Sequence, residues 1–268
     1  MDILWEVAKD LETAIFTTKD TSIALANWLS LIVTAIACCF AWRAYLQSKK
    51  TRRSAAFSML FAQLMANHRA VFGNEELKHT TLRPNSECNK FSIDENDDVF
   101  INFTKYYLSK HESICKRGEN SELTYELIDK TWADYVNSIK EESEFSHCFK
   151  YVYHEIRTVM YENNGYSLDD NDWIHYMGVI QANMNYDELF CYFINLLQHF
   201  GRVANKREIY NDWKKEDLVF LDGLKKSCFF NNLQERHDSK YLSAMKDLKK
   251  YGDSLVKELT NKIIEIQS

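Results

Sequence analysis

Residues 21–42, TSIALANWLSLIVTAIACCFAW, carry no charged side chain, and Arg43, Lys49, Lys50, Arg52 and Arg53 follow directly. At about 1.5 Å of helical rise per residue the run reaches roughly 33 Å, enough for the hydrocarbon core of a bilayer. Trp42 and Tyr45 stand where an interfacial aromatic belt lies, and the cations sit just beyond it. The run therefore predicts a single membrane-spanning helix. A buried helix of a soluble bundle is the competing reading, because Asn27, Ser30, Thr34 and several alanines dilute the apolar character. A cleaved signal peptide fits less well, since the preceding flank is acidic and the following one basic.

The rest of the chain reads as helical. One proline (Pro84) and seven glycines in 268 residues disfavour sandwiches and barrels and leave long stretches of helix formers uninterrupted. The expected class is all-α: an N-terminal transmembrane helix followed by a cytosolic multi-helix bundle. Three regions follow: a short amphipathic segment over 1–20, the span with its basic flank over 21–53, and the helical domain over 54–268.

Charge is distributed unevenly along these regions. The net charge of −6 splits into −3 on residues 1–20, +5 on residues 43–53 and −8 on the remainder. An acidic main domain gains no general attraction for nucleic acid, so no direct nucleic-acid binding is expected. The basic run suits anionic headgroups, and by the positive-inside rule it puts the N-terminus outside and the large domain in the cytoplasm. Seven scattered cysteines without a CxxC fit reduced thiols; Cys38 and Cys39 are either acylation sites or small lipid-facing side chains.

Along the chain, the spacing predicts that the span continues as one helix through Phe57, Leu60, Phe61, Leu64 and Met65 to a stop at Gly73-Asn74. A polar loop over 74–97 should follow. Helices are then expected from Val99 to near Gly118, and from Leu123 to Met160 with a possible break near Glu144 and a stop at Asn163-Asn164-Gly165. Asp169 to Phe200 should form the next helical region, ended by Gly201 and most buried over Met184–Phe200. Helices over Trp213–Cys228 and from Tyr241 to the C-terminus complete the series.

Familiar catalytic patterns are missing: no Walker loop, GxGxxG, HExxH or GxSxG occurs. No arginine is followed four to six residues later by a histidine, the pairing a helical ribonuclease of the HEPN type would need. The best metal candidate, His147-Cys148 with His154-Glu155, puts its two histidines two helical turns apart, too far for one ion. Asp169, Asp170 and Asp172 read as an acidic helix start. No cofactor or metal is expected, and no catalytic residue is assigned.

Four segments resemble the phage abortive infection protein family. These are FSMLFAQLMANH (57–68), FKYVYHEI (149–156), VIQANMNYDELFCYFINLL (179–197) and FFNNL (229–233), which together cover roughly residues 55–235. Ala182, Glu188, Leu189 and Asn195 fit the central motif, whereas Gln181, Asn183 and Asn185 stand where the family tends to have Arg, Gln and Ser. The resemblance implies anti-phage defence from the bacterial inner membrane. It implies an effector held inactive by a sensor, in some relatives a retron complex, or assembled as a homo-oligomer. Tyr151, His154, Asn183, Glu188, Asn195 and Asn232 are candidates for a buried polar network or a partner site. Asn27, Ser30 and Thr34 form a polar stripe that either lines a pore or packs against other helices. Two other readings stay open: a membrane-tethered enzyme such as a nuclease, and a non-enzymatic adaptor of a defence complex.

Overall fold

The computed structural model describes residues 6, 9, 21–84, 86, 88, 91, 93–116, 125–161, 170–205, 215–234 and 238–267. Among them the chain is all-α. The helices are α1 (Thr21–Phe72), α2 (Val99–Lys116), α3 (Tyr125–Val136), α4 (Glu142–Tyr161), α5 (Asp170–Ala182), α6 (Tyr186–Asn205), α7 (Lys215–Lys226) and α8 (Ser239–Gln267). Short 3-10 turns cover Glu75–Leu77 and Asn231–Gln234. The expected stops at Asn163-Gly165 and Gly118 lie outside the described residues. The chain divides into two units, Met1–Ser58 and Met59–Ser268.

In the first unit α1 is unbroken because residues 21–58 contain neither Gly nor Pro. From Ala26 this helix is long and apolar enough to cross a membrane, and its most apolar window is entirely unburied. Its large side chains, from Trp28 at 46 % to Phe40 at 67 % exposure, stay largely open among the described residues. That is the opposite of a core helix, whose apolar stripe is covered on at least one side.

The second unit is built around α6, which packs on α2, α3 and α8. Leu189, Phe190, Cys191, Tyr192, Ile194 and Phe200 are all buried, as the aromatic-rich stretch predicts. Beside it α2, α3 and α4 contribute an aromatic cluster. Phe103 meets Trp132 edge-on at 5.2 Å, Trp132 meets Phe149 at 5.3 Å, and Phe145 meets Phe149 at 4.9 Å. Such geometries add about 0.5–1.5 kcal/mol per pair beyond the area buried.

Three helix boundaries differ from the sequence reading. Between Tyr125 and Met160 there are two helices, and the break expected near Glu144 falls a few residues earlier, at 137–141. There the backbone leaves the helix to pair with the preceding loop: Leu82 bridges Ile139, Arg83 N donates to Ser138 O at 2.7 Å, and Lys140 N donates to Thr81 O at 2.9 Å. The loop after α1 is thus tied down, helped by Asn102, whose Nδ2 donates to Thr80 Oγ1 at 2.8 Å. The region Asp169–Phe200 is also two helices, parted at Asn183–Asn185.

The third correction is Gly201, which does not end its helix; α6 runs on to Asn205. A Cβ there would lie 2.4 Å from Tyr125 Cδ2, so this glycine is a close crossing between α6 and the start of α3. Gly73 does end α1, its N–H reaching back to Arg69 O at 2.9 Å.

Candidate functional site

A group of polar residues of the second unit lies where the last turns of α1 meet α4 and the α5–α6 turn. The turn exists because Asn185 and Glu188 form a capping box: Glu188 N donates to Asn185 Oδ1 at 2.9 Å, and Asn185 N donates to Glu188 Oε2 at 2.7 Å. Two orphan backbone donors at the start of α6 are satisfied reciprocally, and the carboxylate sits at the positive end of the helix dipole. Glu188 is nevertheless 9 % exposed. Burial pushes its carboxyl up to about 7, against the lowering effect of the Asn185 hydrogen bond and of His68; Asp98 and Asp187 push the same way as burial.

Next to it lies a buried ion-pair geometry that sequence reasoning did not assemble. His68 Nδ1 and Glu155 Oε2 are 2.7 Å apart, with side-chain exposures of 1 % and 0 %. Eighty-seven residues separate the two, on α1 and α4. His68 is fixed from both sides, stacking on Phe72 at 4.5 Å and meeting Tyr151 edge-on at 6.5 Å. Burial pushes the Glu155 carboxyl above its ordinary range, and the hydrogen bond and charge of His68 pull it back. His68 Nε2, Glu155 Oε1 and the hydroxyl of neighbouring Tyr192 have no partner among the described residues. Each such atom costs about 1–3 kcal/mol of desolvation, so the cluster is a stressed point in the core.

Arg69, one residue on, faces outward and forks onto Asn183: Nε and one terminal nitrogen each donate to Asn183 Oδ1 at 3.3 Å. Asn183 in turn donates from Nδ2 to Val179 O at 2.8 Å. Tyr151 donates its hydroxyl to Leu64 O at 3.1 Å, fastening α4 to α1.

Of the six sequence candidates, Tyr151, Asn183 and Glu188 therefore come together, and each is held by a structural hydrogen bond. The other three do not join them. His154 is exposed against Tyr153, Asn195 lies half-buried on α6, and Asn232 half-buried in the 3-10 turn after α7. His68 and Glu155 were missed because their pairing is long-range; each sits in a segment already quoted for other reasons. The metal candidate is split by burial, with Cys148 and Glu155 inside and His147 and His154 exposed. Among the described residues no three His, Cys, Asp or Glu side chains converge as a metal ion requires. Asp169 lies outside the described residues.

On α1, Asn27, Ser30 and Thr34 are all exposed, and Thr34 donates its hydroxyl to Ser30 O at 2.8 Å within its own helix. Arg43, Lys49, Lys50 and Arg52 are exposed and Arg53 is half-buried. The cysteines at 38, 39 and 228 are exposed, those at 88, 148 and 191 are buried, and all six are free thiols. Burial pushes the Cys148 thiol up to about 12, which leaves it unreactive.

No family model, curated protein or solved structure matches this chain. The site and the fold stand on the physical chemistry of these residues.

Proposed function

We propose that this chain is a membrane-anchored effector of bacterial anti-phage defence, of the abortive-infection type, and that it works without catalysis. Its span lies in the inner membrane with the N-terminus outside, and its helical domain, in the cytoplasm, receives the infection signal from a sensor or from other copies of itself. Rearrangement or association of the spans then disturbs the bilayer. The observation that carries the reading is the bare apolar surface of α1 followed by five cations, which a bilayer with anionic headgroups would cover and a watery environment would not. The Asn27–Ser30–Thr34 stripe supports association of spans, because small polar residues at that spacing let helices approach closely.

The reading of the helical domain as a receiver rather than an enzyme rests on its polar cluster. His68, Glu155 and Glu188 are closed off from solvent, whereas hydrolytic chemistry needs such groups in a cleft a substrate can enter. Infection tests the proposal. Bacteria expressing the whole chain are expected to suppress plaques and die before phage release, and those expressing residues 54–268 are expected to do neither. Equal protection by residues 54–268 would overturn the membrane mechanism. Absence of protection by the whole chain would overturn the defence reading.

A further inference from the structure

Helices α6, α7 and α8 enclose a trough of 1170 Å³ that the site above does not use. Phe193 and Leu197 of α6, Leu221 of α7, Leu242 and Val256 of α8, and Phe230 line its walls. Leu242 and Val256 remain 41 % and 37 % exposed, so the wall offers apolar surface to an occupant. The lining runs along α8 from Leu242 to Asn261, about 29 Å of helix.

The rim is basic. Lys246, Lys249 and Lys257 on α8 and Lys225 on α7 border the trough, against Asp253 as the one acid among the described lining residues. All four lysines are exposed and have no carboxylate partner among the described residues. Other lysines on the same two helices are held: Lys226 by Asp222 and Lys240 by Glu112, each at 2.7 Å.

Three occupants can be weighed by charge placement. An anionic lipid concentrates its charge at one end of its chains, whereas the α8 lysines are spread over about 17 Å of side wall. A second copy joined across a two-fold axis would bring lysine rim onto lysine rim. A helix with carboxylates on successive turns repeats its charge about every 5.4 Å, so it can set one carboxylate beside Lys246 and Lys249 and another beside Lys257, about two turns further on.

We propose that the trough is the docking groove for an amphipathic helix of a partner protein. That helix carries apolar residues at i, i+3, i+4 and i+7 on its inserted face and Asp or Glu along its flanks.

The test uses the full chain in nanodiscs of phosphatidylcholine, with empty nanodiscs as the blank. Two fluorescent peptides of about 20 residues, long enough to fill the groove, share a leucine face and differ only in flanking Glu or Lys. The Glu peptide is expected to bind at least about tenfold more tightly than the Lys peptide by anisotropy, with the difference shrinking as salt rises. The K246E/K249E/K257E variant should reverse that order, and Val256→Asp should abolish binding of both. These sites are exposed, so unchanged far-UV circular dichroism separates loss of docking from loss of fold. Equal affinity for the two peptides would overturn the proposal, as would an unchanged order in the triple variant. Occupation by a dansyl-labelled fatty acid, with neither peptide able to displace it, would assign the trough to lipid and also overturn the proposal. The titration reads this groove alone, so its failure leaves the membrane reading standing.

Discussion

Replacing His68 by Leu and Glu155 by Met, singly and together, isolates what the buried pair contributes. Glu155→Met leaves an imidazole with both nitrogens unpartnered in a site 1 % exposed, since Nε2 already lacks a partner. His68→Leu leaves a carboxyl with 0 % exposure and neither oxygen satisfied. Losing a charge-assisted hydrogen bond costs about 1.5–3 kcal/mol and stranding its partner about 1–3 more, so each single change should cost about 3–5 kcal/mol. That is a large share of a domain's total stability, about 5–15 kcal/mol. The double variant strands nothing and fills the site with apolar atoms. It should fall within about 1 kcal/mol of the parent chain, or above it, giving a coupling of at least about 5 kcal/mol. Urea unfolding of the helical domain at pH 7, followed by circular dichroism and by the fluorescence of buried Trp132, measures all four corners of the cycle. Additive single losses in the double variant would refute the reasoning, because two residues that merely pack would each cost their own cavity.

Two further changes test the site and its surroundings. The Glu188 carboxyl is pushed up to about 7 from 4.5, so the folded chain binds that proton more tightly than the unfolded one. Its stabilising contribution is complete below pH 4.5 and is lost as pH rises to about 7, a change of about 3 kcal/mol. Glu188→Gln keeps an acceptor for the Asn185 N–H and removes the titration, so its stability should fall less than the parent's across that window; parallel curves would contradict the assignment. At the end of α7, Cys228 adopts φ 54° and Phe229 N reaches back to Leu224 O at 3.1 Å, a Schellman closure with a side chain where glycine is usual. Cys228→Gly should raise stability by about 1 kcal/mol, read as a higher urea midpoint at unchanged slope.

The long helices were legible because their determinants are local. The absence of Gly and Pro over 21–72 and the stop at Gly73 set α1, and the 3–4 spacing from Tyr241 to Leu259 set α8 through its interior Gly252. The break expected near Glu144, which falls at 137–141, and the unanticipated one at 183–185 contain neither Pro nor Gly. One is made by backbone pairing of Ile139 with Leu82, 57 residues earlier in the chain, and the other by a capping box in which Asn185 replaces the more familiar Ser or Thr. Gly201 misled for a related reason: glycine after an apolar run usually marks a helix end, whereas here its missing Cβ admits the Tyr125 ring. The His68–Glu155 pair is a contact between distant helices, and no periodicity within either segment announces it.

Membrane potential tests the central claim most directly. A voltage-sensitive dye is followed in cells induced to express the whole chain, beside cells expressing a chain that begins at Ser54. The account predicts depolarisation within minutes of activation by infection, in the first strain only, before any loss of RNA or protein synthesis. Death of both strains with the potential intact would contradict it and move the activity to the helical domain alone.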